Sequence, residues 1–190
     1  MKKNSQGFSL IEVLITIVLT TIGILGMVAL QSKSIQYTQD AVNRNTAIAL
    51  TNELVEIMRA NRDVIFVKKP PLEPMYSQLA DTSAFYKASG AFDFTVADCK
   101  AGRAQTAKHQ AGCWLKKAQA LLPAASDATI AGSFMVCPSY KLDTTGKPVC
   151  AGSSYSGSTM AIQLAWRSKE KVCGPNSNSD ICTYTTRVEL

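Results

Sequence analysis

The run Gly7-Phe8-Ser9-Leu10-Ile11-Glu12-Val13-Leu14-Ile15-Thr16-Ile17-Val18-Leu19-Thr20-Thr21-Ile22-Gly23-Ile24-Leu25-Gly26-Met27-Val28-Ala29-Leu30 decides how this 190-residue chain is read. From Phe8 to Leu30 it holds one charged side chain, Glu12. As a helix rising ~1.5 Å per residue, it crosses a hydrocarbon core of about 30 Å. The residues before it, Met1-Lys2-Lys3-Asn4-Ser5-Gln6, are basic and polar. A secretory signal peptide places its apolar stretch before the cleavage site and loses it. Here the small residue Gly7 precedes the apolar stretch, so cleavage between Gly7 and Phe8 keeps the membrane segment. Lys2 and Lys3 place the leader in the cytoplasm by the positive-inside rule, and everything beyond Leu30 on the far side. Glu12 costs roughly 2.5 to 3.5 kcal/mol near the middle of a spanning helix and less near an end. The positive end of its own helix dipole offsets only part of that cost, so a partner from another molecule is expected.

Beyond Leu30 the pattern changes. Ala47, Leu50, Leu54, Ile57 and Met58 fall on one helical face, and Asn52, Glu53, Glu56 and Arg59 on the other. No clear breaker lies between Phe8 and Asn61, so the simplest reading is one long helix, apolar all round at first and amphipathic later. Pro70, Pro71 and Pro74 close that region. The stretch from Met75 to about Ala128 reads as a loop-rich connection with a short helix near Cys113 to Leu122. Met160 to Arg167 alternates Met160, Ile162, Leu164 and Trp166 with Ala161, Gln163, Ala165 and Arg167, which predicts a strand with one apolar face. Ser133 to Cys137 and Tyr184 to Leu190 also read as strands. Laid over the Ala47 to Met58 stripe, such an antiparallel sheet gives an α+β fold. The expected organisation is a leader over 1–7, a membrane and assembly helix over 8–30, an amphipathic stem over 31–62 and a globular head over 63–190. Segments 151–158 and 174–179, rich in Gly and Ser, are its connecting loops.

Cys99, Cys113, Cys137, Cys150, Cys173 and Cys182 all lie in the second half, without C-x-x-C spacing. One histidine, His109, cannot complete a multi-histidine metal site. Disulfides formed in an oxidising compartment are the expected use, with no metal and no cofactor. Six cysteines allow 15 connectivities, and pairing neighbours gives Cys99 with Cys113, Cys137 with Cys150, and Cys173 with Cys182. The net charge of +6 is scattered along the chain, so no dedicated nucleic-acid surface is implied. His109 sits between Lys108 and Gln110 in what reads as a polar loop without a nucleophile motif, and Glu53 and Glu56 lie on a polar helix face. No enzymatic activity is expected. Trp114, Trp166 and Tyr140 are read as packing or interface residues, with a ligand-binding head as the alternative.

Gly7-Phe8-Ser9-Leu10-Ile11-Glu12-Val13-Leu14 resembles the leader-peptidase motif of type IV pilins and type II secretion pseudopilins. The resemblance implies cleavage after Gly7 by a prepilin peptidase and N-methylation of Phe8. It also implies an assembly role for Glu12, pairing with the terminal ammonium of a neighbouring subunit. Gly23 to Gln31, Asn43 to Ala49 and Met58-Arg59-Ala60-Asn61-Arg62 resemble the PilV group of minor pilins, over about residues 7 to 62 and only faintly beyond. Ala29 stands where major pilins commonly carry a helix-kinking proline, which leaves Gly23 and Gly26 as the positions for any local unwinding. The implied partners are other major and minor pilins, the prepilin peptidase and an inner-membrane assembly platform. The implied location is a single inner-membrane pass with a periplasmic head, later part of an extracellular pilus. A type II secretion pseudopilin and an accessory pilus adhesin are the alternatives.

Overall fold

The computed structural model describes residues 9–66, 83–100, 102, 106–151, 159–168, 173 and 180–190. Pro70, Pro71, Pro74 and most of the two Gly- and Ser-rich loops lie outside them. Two compact units divide the chain at Ala41 and Val42. The first helix, α1 (Leu10–Ala60), contributes to both. It runs unbroken through Gly23 and Gly26 and begins with backbone bonds from Glu12 and Val13 to the Ser9 carbonyl. No β-branched crowding prevents this, because Val, Ile and Thr lower helix propensity only slightly and apolar surroundings outweigh that cost.

In the first unit every described residue from Ser9 to Ile35 is exposed. In the second, α1 buries Ala47, Leu50, Thr51, Leu54, Val55 and Met58, a stripe at helical spacing, while Asn52 and Glu56 stay in solvent. Thr51 is tolerated inside because its hydroxyl donates to the Ala47 carbonyl at 2.8 Å.

Around this stripe the second unit assembles α2 (Arg62–Ile65), a 3-10 turn (Val96–Asp98), α3 (Ala107–Leu121), α4 (Ala128–Gly132) and three strands. β1 (Met135–Pro138), β2 (Thr159–Arg167) and β3 (Ile181–Glu189) form one antiparallel sheet in the order β1-β2-β3. Val136 opposes Ile162 in the first pair, and Thr159 opposes Glu189 through to Arg167 opposing Ile181 in the second. Met160, Ile162, Leu164 and Trp166 share a face and join one apolar cluster with Leu50, Leu54, Met58, Phe85, Phe94, Trp114 and Phe134. Each such large side chain contributes roughly 1.5 to 3 kcal/mol relative to exposure. The Trp114 indole N–H donates to the Leu50 carbonyl at 2.8 Å, tying α3 to α1 without leaving a buried donor unpaired.

One sequence reading is extended and two need correction. The face of β2 carrying Ala161, Gln163 and Ala165 is not solvated: these residues are 0, 3 and 0 % exposed. Gln163 survives burial because its amide donates to the Ser133 carbonyl at 2.8 Å and its oxygen accepts from the Thr185 hydroxyl at 3.1 Å. The α3 helix starts at Ala107, six residues before Cys113, because Thr106 caps it by accepting from the His109 amide at 3.2 Å. His109 therefore stands on a helix and not in a loop. Finally, β1 begins at Met135, since Ser133 and Phe134 still donate to the carbonyls of Ile130 and Ala131 as α4 ends.

Candidate functional site

The surface that distinguishes this chain chemically is the first half of α1. Leu10, Leu14, Ile17, Leu19, Ile22, Leu25 and Leu30 all lie open on different sides of the helix. A helix apolar around its whole circumference has no face to turn toward water, so it demands lipid or other apolar helices. Its length and composition suit a membrane span. The polar groups it carries are largely self-satisfied. Thr16 donates to the Val13 carbonyl at 2.8 Å, Thr20 to those of Thr16 and Ile17 at 2.9 Å, and Thr21 to that of Val18 at 2.8 Å. Glu12, in the first turn, is the exception: it is exposed, and its charge lies where the helix N-terminus favours an anion. Gly7 and Phe8 fall outside the described residues.

The second unit closes three disulfides. Cys99 joins Cys113, tying the end of the 3-10 turn to α3. Cys137 joins Cys150, linking β1 to the far end of a hairpin-like loop in which Leu142 bridges Pro148. Cys173 joins Cys182 of β3. Among the described residues no cysteine is free. Loops of 14, 13 and 9 residues are small, so each bridge adds stability of about 2 to 4 kcal/mol by limiting the unfolded chain.

The polar side chains of this unit are taken up by architecture. Asp98 is held below the usual carboxylate range chiefly by the backbone N–H of Thr95, with which it forms a capping box. Asp127 is lowered by the Thr129 amide as it caps α4, and Asp143 by the Thr145 hydroxyl and the Lys147 amide within its turn. Arg167 reaches Asp180 at 3.0 Å and Asp127 at 3.8 Å, fastening the end of β2. Glu53 is paired with Lys117 at 2.7 Å, and Glu56 with Arg59 at 2.9 Å, so these two carboxylates are not poised together for acid-base work. Trp114 and Trp166 are buried in the core, whereas Tyr140 is exposed. His109 Nε2 lies 2.9 Å from the Lys100 carbonyl and 3.9 Å from Cys113 Sγ.

Sequence reasoning missed Lys87. Its side chain is 3 % exposed, donates to the Ala131 carbonyl and lies over the rings of Phe92, at 4.8 Å, and Phe134, at 5.9 Å. Desolvation pushes its pKa down to about 8. No local pattern announces it, because the rings around it come from positions 92 and 134 and the acceptor from a helix end 44 residues away.

Comparison with known proteins places both features in context. Residues 2–28 match the prokaryotic N-terminal methylation motif, and residues 29–107 match the family described as Type IV pilin Tt1218. Among curated proteins and among solved structures no significant match is found. The chain thus resembles the N-terminal methylation motif and then a type IV pilin family, on an α+β fold with a long apolar N-terminal helix. The type IV pilin family is structural, not enzymatic.

Proposed function

We propose that the chain is a minor pilin, a structural subunit that promotes assembly of a type IV pilus. The observation that carries this reading is the conjunction of the methylation motif with a helix exposed and apolar on all sides from Leu10 to Leu30. A prepilin peptidase cuts between Gly7 and Phe8 and the new terminal Phe8 is methylated. The helix then holds the subunit in the inner membrane with its folded unit in the periplasm, where Cys99, Cys113, Cys137, Cys150, Cys173 and Cys182 are kept oxidised. During assembly the Glu12 carboxylate attracts the terminal ammonium of an adjacent subunit, in surroundings of low dielectric where the pair is weakly screened. The similarity of Met58-Arg59-Ala60-Asn61-Arg62 to the PilV group supports a minor over a major role. A bridged head of this kind suits a special position better than a repetitive shaft.

Deleting the gene and comparing piliation, twitching and secretion of folded enzymes tests the proposal. Loss of surface pili with intact secretion is the expected result. Normal piliation with failed secretion identifies a pseudopilin instead, and normal behaviour in both assays identifies an accessory adhesin. Mass analysis of the wild-type protein must begin at methylated Phe8. Residues 1–7 still attached in cells with an active peptidase overturn the processing step.

A further inference from the structure

The three disulfides differ in what surrounds their sulfurs. Cys137 is 0 % exposed and Cys182 is 1 % exposed, so in each of those bridges one cysteine is sealed and the other, Cys150 or Cys173, is half-buried. An incoming thiolate reaches the half-buried sulfur, and the electron pair of the broken S–S bond must settle on the sealed one. A thiolate in apolar surroundings is disfavoured, which makes Cys137 and Cys182 poor leaving groups. Cys99–Cys113 differs on both counts: neither residue is sealed, and His109 stands one helical turn before Cys113 with Nε2 3.9 Å from its Sγ. The Lys100 carbonyl, 2.9 Å from the same nitrogen, can only accept, so Nε2 carries the hydrogen. That N–H is directed to the carbonyl, and the sulfur stands 3.9 Å from the same nitrogen. Nδ1 is buried without a partner among the described residues.

We propose that Cys99–Cys113 is a thiol-exchange site, with Cys99 the sulfur attacked, Cys113 the leaving group, and His109 the positioning residue that stabilises the departing thiolate. A thiolate of an external thiol forms a bond to Cys99 Sγ as the Cys99–Cys113 bond breaks. The electron pair goes to Cys113 Sγ, which accepts a hydrogen bond from His109 Nε2–H, and no proton changes owner in this step. A second equivalent of thiol then releases Cys99 as a thiolate and carries away the oxidised thiol as its disulfide. The local fold outlasts the opening, because the α3 cap at Thr106, the capping box of Thr95 and Asp98 and the Trp114 to Leu50 bond do not depend on the bridge. Exchange is therefore reversible without unfolding, and the occupant is a reducing thiol, either a small molecule or the exposed cysteine of an oxidoreductase.

The test uses the full-length protein in detergent, without denaturant, exposed to reduced glutathione, quenched with acid and alkylated for peptide mass mapping. The expected result is that Cys99 and Cys113 open first, with glutathione on Cys99 and alkylation on Cys113. H109L slows this opening roughly tenfold, while H109Q, which retains a side-chain N–H, recovers part of the rate. The other two bridges serve as internal controls and keep their rates in both variants. Prior opening of Cys137–Cys150 or Cys173–Cys182, glutathione found on Cys113, or an H109L rate equal to or above wild type each overturns the proposal. The order of opening in the wild-type protein decides the site without recourse to any variant.

Discussion

The two stretches of α1 are alike in backbone and opposite in how they use their apolar side chains. From Leu10 to Leu30 these side chains lie on every side and none is buried within the chain. Between Ala47 and Met58 the buried ones form a stripe, and Ala47, Leu50, Leu54 and Met58 are almost fully enclosed. The hydrophobic effect acts on both, but only the second stretch satisfies it internally. The lesson is that apolar content alone does not assign a role. Its distribution around the helix separates a segment that stabilises its own fold from one that needs another environment.

Paired truncations put this contrast under the greatest load. Leu54→Ala should destabilise the second unit by about 2 to 5 kcal/mol, through lost burial and the cavity left behind. Leu19→Ala should leave its melting unchanged within about 0.5 kcal/mol. Thermal or urea unfolding of the detergent-solubilised protein followed by near-ultraviolet signal checks both. Equal losses in the two variants would break the division between the stretches.

Next in size is the polar exception inside the enclosed stretch's own core. Lys87 titrates near pH 8 when folded and at its ordinary 10.5 when unfolded. Between these values the unfolded chain holds a proton that the fold does not, so this group's contribution to stability rises with pH through the window. Below pH 8 both states are charged and the full burial cost applies. The stability of wild type relative to K87M should therefore climb between pH 7 and 10.5, by up to about 3 kcal/mol. Taking the difference between the two proteins cancels the titration of all other groups. A flat difference would mean that Lys87 stays charged, held by the Ala131 carbonyl and the two rings.

The smallest effect sharpens the comparison at a close approach. A Cβ on Gly112 would stand 2.7 Å from the Thr95 carbonyl oxygen and 2.9 Å from Asp98 Cβ. G112A should cost about 1 to 3 kcal/mol, although alanine is the better helix former. Gly23 and Gly26 in the apolar stretch have nothing within 4 Å of such an atom, and alanine there should leave the second unit's stability untouched.

What was legible in the sequence follows from how local each signal is. The long helix showed itself because more than twenty consecutive residues carry one message, and β2 because Met160 to Arg167 alternates strictly. Burial of the second face of β2 was illegible, since Ala161, Gln163 and Ala165 are covered by structure distant in sequence and Gln163 looks like a solvent residue. The start of α3 was missed because Ala107 to Gly112 lacks an apolar stripe and includes a glycine that weakens a helix, yet Thr106 was an available cap signal. Lys87 was beyond reach, because its environment exists only after the chain has brought positions 92, 131 and 134 together.

Under the proposed function, the threonines of the apolar stretch carry a consequence for how the subunit travels. Thr16, Thr20 and Thr21 spend their hydroxyl hydrogens on carbonyls of the same helix, so no bond to a neighbour has to be broken when the neighbours change. Along that length the helix is chemically indifferent to whether acyl chains or other side chains surround it, and exchange between the two requires no rehydration on the way. In the proposed assembly, Glu12 is the point that registers the difference. A rod that is slippery everywhere but at one charged point can move freely and still stop in one place.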